Sequence, residues 1–117
     1  MLRFKPEVRI ERFTPAIAAA LEAAAWWSLR ARVDVRINSI DDPAAGRVPD
    51  SFHGFSLAID FGTDDESPAS RALLAEFLVR ELPPIYDVLI ESDHVHVECD
   101  SKRHVIPWPT SPTAGTK

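Results

Sequence analysis

One cysteine is all that the 117-residue chain contains. Cys99 has no second thiol to pair with, so the fold does not depend on an internal disulfide or an oxidising compartment. Cationic runs are missing too. Thirteen Lys and Arg stand against eighteen Asp and Glu, for a formal net charge of −5, and no stretch interleaves basic with aromatic residues. A nucleic-acid groove needs a basic footprint, so that class of partner is not expected. Nor does any apolar run reach membrane-spanning length. The alanine-rich stretch after Thr14 is interrupted by Glu22 and flanked by charges, so it reads neither as a span nor as a signal peptide. Without an export signal, action outside the cytoplasm would require delivery by another agent or release by lysis. Internal repeats are also lacking.

What is present suits one modest domain: 45% of the residues are hydrophobic. Residues 1–105 are assigned to it, and the Pro- and Thr-rich tail 106–117, which has no period, is expected to be loosely held. "TPAIAAALEAAAWWSLRAR" begins with Thr14 as N-cap and Pro15 at the first helical position, and its stripe is read through Ile17, Leu21, Ala24, Trp26 and Leu29. A second helix, 66–82, opens at Ser67–Pro68, is expected to bury Leu73, Leu74, Phe77 and Leu78, and stops before Pro83–Pro84. Period-two alternation predicts strands at 33–40 and 55–61, with a Pro- and Asp-bearing loop between them. "IYDVLIE" and "HVHVEC" read as a hairpin around Ser92–Asp93. The expected class is α+β, with a small antiparallel sheet flanked by two main helices.

Strand side chains alternate between faces. With Phe55, Leu57, Ile59 and Phe61 turned inward, Ser56, Ala58 and Asp60 point the other way. With Val95, Val97 and Cys99 inward, His94, His96 and Glu98 share the opposite face. His53 enters the first of these strands and is expected to reach the same side. A lone histidine pair on a strand is more often a solvated face. Here three of the four histidines fall into one pattern of consistent facing, beside small neighbours. Two imidazoles and a carboxylate make a three-donor set with a fourth tetrahedral position open, as catalytic zinc sites require. His104 lies past the last strand and reads as surface.

The stretch from Ser51 to Asp60 resembles the S-x-H-x-x-G-x-A-x-D signature of zinc D-alanyl-D-alanine carboxypeptidases and related phage endolysins, a fold and zinc site shared with the hedgehog signalling domain. Ser51, His53, Ala58 and Asp60 stand at matching positions, and "DHVHV" (93–97) resembles the family's second motif, D-H-x-H or E-x-x-H. The motifs lie either side of a helix, in the family's order, and the likeness covers roughly residues 14 to 100. It implies a hedgehog/DD-peptidase-like fold, Zn2+ as cofactor, and His53, Asp60 and His96 as its ligands. Two registers offer a general base, Asp93 before His96 and Glu91 before His94; the D-H-x-H branch favours Asp93, with His94 hydrogen-bonding the developing oxyanion. The implied substrate is a peptidoglycan stem peptide, with Ser51 among the residues that would face it. A zinc-stabilised binding or structural module without catalysis is the alternative, and a phage component released by lysis is one route to the wall.

The chain departs from the family at two positions. Ser56 replaces the usual glycine, and Asp42 in "NSIDD" stands where relatives carry a substrate-binding arginine after a serine matched by Ser39. Arg36 and Arg47 are the candidates to take its place, while Asp41 and Asp42 suit an amino group, a second cation, or simply an acidic loop before proline.

Overall fold

The computed structural model describes residues 1–8, 10, 14–40 and 57–99. Its elements run β1 (Leu2–Phe4), α1 (Pro15–Ala31), β2 (Val35–Ser39), β3 (Ala58–Thr63), α2 (Pro68–Glu81), β4 (Tyr86–Ile90) and β5 (Val95–Cys99). Five strands form one sheet in the order β1-β2-β3-β5-β4. The fold is α+β with a small sheet and two helices, as expected. The pairing is mixed rather than wholly antiparallel, because β1 joins β2 in parallel, Leu2 opposite Val35. Three residues with a charged centre carry too little alternation to announce a strand, so β1 was not foreseen. The foreseen hairpin is there: β4 and β5 pair antiparallel, Ile90 opposite Val95, and the Glu91 N–H donates to the His94 carbonyl at 2.8 Å.

Both helix starts follow their caps. Thr14 Oγ1 accepts the Ile17 N–H at 3.1 Å, and Ser67 Oγ accepts from Ala69 and Ser70 at 3.1 and 3.2 Å, with a proline next in each case. α1 ends on Arg32, which adopts the left-handed conformation (φ 60) while its N–H bonds Ser28 O. α2 ends at Leu82, where the following prolines forbid another turn.

The core lies between the helices and one face of the sheet. Ile17, Ala20, Ala24 and Trp27 of α1 and Leu74, Ala75 and Leu78 of α2 pack with Val35, Ile37, Ile59, Phe61, Val95 and Val97. The helix stripes are rotated from the expected ones. Trp27 is buried and Trp26 is 55% exposed, since position 27 completes the 17-20-24 series whereas 26 falls off it. Leu29 and Leu73 likewise face outward. The phase of α2 puts Arg71 into the buried stripe instead. Tyr86 fastens β4 to the start of α1: its hydroxyl donates to Ala16 O at 2.9 Å, and burial pushes its pKa up to about 12. Among the described residues no helix is long and apolar enough to cross a membrane.

Candidate metal and catalytic centre

The sheet face turned away from the helices carries the titratable side chains. β3 contributes Ala58, Asp60 and Gly62, and β5 contributes His96 and Glu98. Register sets Asp60 directly across from His96, and Ala58 across from Glu98. Cross-strand pairs lie close enough for short side chains to meet. Asp60 Oδ1 is 2.8 Å from His96 Nδ1, and Glu98 Oε1 is 2.8 Å from His96 Nε2. His96 is thus gripped at both ring nitrogens. The hydrogen bond from Asp60 raises its pKa to about 8, against the opposing effect of burial and with help from Glu98. Near neutral pH the ring is therefore an imidazolium donating to two carboxylates.

His94 stands at the end of the β4–β5 turn and joins the same cluster. Its Nδ1 is 2.7 Å from Asp93 Oδ1 and its Nε2 is 3.6 Å from Asp60 Oδ1. The bond from His94 is the main reason that the Asp93 carboxyl is held below the usual range, and the nearby Arg71 charge contributes. Arg71 reaches up from α2, its Nη2 donating to Ser92 O at 3.0 Å, so a buried guanidinium anchors the turn that carries Asp93. Glu91 closes the same turn through its backbone, and its side chain is exposed.

The face-by-face expectation holds for Asp60, His94, His96 and Glu98, and the structure brings all four together with Asp93. His53, Ser51, Arg47, Asp41, Asp42 and His104 lie outside the described residues. Arg36 points from β2 to the same sheet face, across from Gly62, and is committed there. Its Nε donates to Asn38 Oδ1 at 3.0 Å and its Nη1 bonds Asp64 Oδ1 at 3.3 Å. Gly62 makes room for it, since a Cβ there would come within 2.7 Å of Arg36 Nη2. A β-bulge between Ile37 and Ser39 sets Ser39, not Asn38, opposite Asp60. Period-two reading runs straight through such an inserted residue, so no sequence signal marked it. Alternation puts Glu98 on this face and gives it no role, and Arg71 escapes a sequence reading because a cation on an apolar stripe reads as a break in the stripe.

Among the described residues no group of three or more His, Cys, Asp or Glu side chains stands ready to hold a metal. They supply two of the three donors that the resemblance implies. Two ligands of a tetrahedral zinc with bonds near 2.0–2.1 Å lie about 3.3 Å apart. The 2.8 Å between Asp60 Oδ1 and His96 Nδ1 is within half an ångström of that spacing. The donor chemistry, carboxylate oxygen beside imidazole nitrogen, is of the kind that zinc takes. Neither the protein-family models nor the curated proteins compared with the chain give a match.

Proposed function

We propose that the chain is a zinc-dependent peptidase that hydrolyses peptide bonds in peptidoglycan stem peptides. The observation that carries this reading is the meeting of Asp60 and His96, which lie 36 positions apart in the sequence, one in each of the motifs on which the likeness to the zinc peptidases rests. His53 would complete the donor set. When bound, zinc would supply an acidified water and polarise the scissile carbonyl.

The remaining work falls to this chain's own residues. Asp93 is exposed and anionic at neutral pH, and the bond from His94 that holds its carboxyl below the usual range also weakens it as a base, so taking a proton from water and returning it to the leaving amine would require that bond to be given up. Asp93 is preferred to Glu91 as base because its side chain is tied to His94, at the solvent rim of the cluster. His94, bonded to Asp93 at one nitrogen, directs the other toward Asp60, where a donor to a developing oxyanion would be useful. Arg36 is the described candidate for the substrate's carboxylate. Taking that role would require it to leave Asp64.

Digestion of purified peptidoglycan with zinc-supplemented protein, with products identified by mass, tests the proposal. New amino groups are expected, and Asp93→Asn should lower their rate about 10²–10⁴-fold while about one zinc per chain stays bound. Zinc bound without any cleavage would leave the inactive zinc-stabilised module as the correct reading.

A further inference from the structure

The zinc-peptidase reading leaves Glu98 without a task, yet its carboxylate lies as close to His96 as Asp60 does. We propose that Glu98 is the positioning residue for His96: by accepting the Nε2–H it decides which ring nitrogen keeps its proton, so that Nδ1, turned toward Asp60, is the nitrogen offered to the metal. This inference rests on the zinc-peptidase reading and deepens it by naming the coordinating atom and the residue that selects it.

The neighbourhood explains why Glu98 lies along its own strand. Across β3 its partner is Ala58, fully buried and too small to compete for the space above the sheet. Across β4 its partner is Asp87, a like charge that disfavours leaning to that side. The route left open runs along β5 to residue 96, two positions back and on the same face. Each carboxylate has its own nitrogen. With a metal bound, Asp60 would be a ligand rather than a hydrogen-bond acceptor, leaving Nδ1 to face the ion. The Nε2 proton stays in its bond to Glu98. A carboxylate behind a metal-binding imidazole fixes ring orientation and strengthens the ring as a donor.

Side-chain nitrogen spectra of the 15N-labelled protein, recorded as zinc is added to one equivalent, test this. The expected result is a metal-induced shift at His96 Nδ1 and a retained proton at Nε2. Glu98→Gln, which keeps an acceptor oxygen, should preserve that choice of nitrogen. Glu98→Ala should bind zinc about 10–100-fold more weakly. A metal shift at Nε2, or undiminished zinc affinity in Glu98→Ala, overturns the assignment. Should Glu98→Ala fail to fold, the wild-type spectrum decides alone. Protein that takes up no zinc at all refutes the zinc-peptidase reading and this inference with it, whereas zinc held through the other nitrogen refutes only the latter.

Discussion

His96 lies between two carboxylates, and the sign of its pKa shift determines how the metal-free protein responds to pH. The folded value of about 8 lies above the ordinary 6.5, so the folded state holds this proton more tightly than the unfolded chain does. The stabilisation is fully present below pH 6.5 and is lost as pH rises through about 8. Because the ring is partly open to solvent, screening holds the effect below the roughly 2 kcal/mol that a fully shielded shift of this size would give. Urea titrations of metal-free protein should show that loss between neutral and mildly alkaline pH, and Asp60→Asn, which removes the largest cause, should flatten it. A stability that rises across the same window would mean that His96 is not gripped as described. How much of this was legible follows from the same residues. Alternation put Asp60, His96 and Glu98 on one face because strand geometry leaves no other choice. It did not show that Glu98 bends along its strand to His96, since that depends on what stands opposite: alanine on one side and aspartate on the other.

At the scale of elements, the clearest sequence signals were local. Thr14–Pro15 and Ser67–Pro68 mark helix starts because one hydroxyl and one missing N–H act within a single turn. Helix phase was less legible. Trp26 and Trp27 are chemically identical, and only packing against the sheet selects the second. Arg32 at the end of α1 is a local conflict, a residue with a Cβ held at φ 60 where glycine is favoured. Arg32→Gly should therefore stabilise the protein by about 0.5–1 kcal/mol, the relief of left-handed strain exceeding the added chain entropy. Thermal melts would measure it, and a destabilised variant would show that the Arg32 side chain contributes more than its backbone costs. Arg71 poses the opposite problem. Its Nε is buried with no hydrogen-bond partner while Nη2 holds Ser92 O. A buried charge replaced by an apolar side chain is often neutral or stabilising, so Arg71→Met should leave overall stability within about 1 kcal/mol of wild type. The Glu91 amide, inside the turn that Arg71 anchors, should exchange with solvent faster. Unchanged exchange would show that the hairpin holds itself.

At the scale of the whole molecule, strand order decides where the site sits. The order β1-β2-β3-β5-β4 makes β3 and β5 interior strands, each hydrogen-bonded on both sides, so Asp60 and His96 are carried by the best-supported part of the sheet. That arrangement is invisible to a reading of strands one at a time, because β3 and β5 become neighbours only after the chain has passed through α2 and β4. It also sets the expected response to metal. An ion bound by the folded chain and not by the unfolded one stabilises by mass action, about 4 kcal/mol at a free concentration a thousandfold above Kd. For a chain of this length about 1 kcal/mol moves the melting temperature by roughly 4 °C, so saturating zinc should raise it by about 15 °C. Asp60→Ala removes one interior-strand donor and His53→Ala the third proposed one, so each should lose most of that rise. His104→Ala, outside the proposed donor set, should keep it. Full stabilisation of His53→Ala by zinc would mean that the third donor is another residue, and no zinc-dependent rise in the wild type would remove the metal from the account altogether.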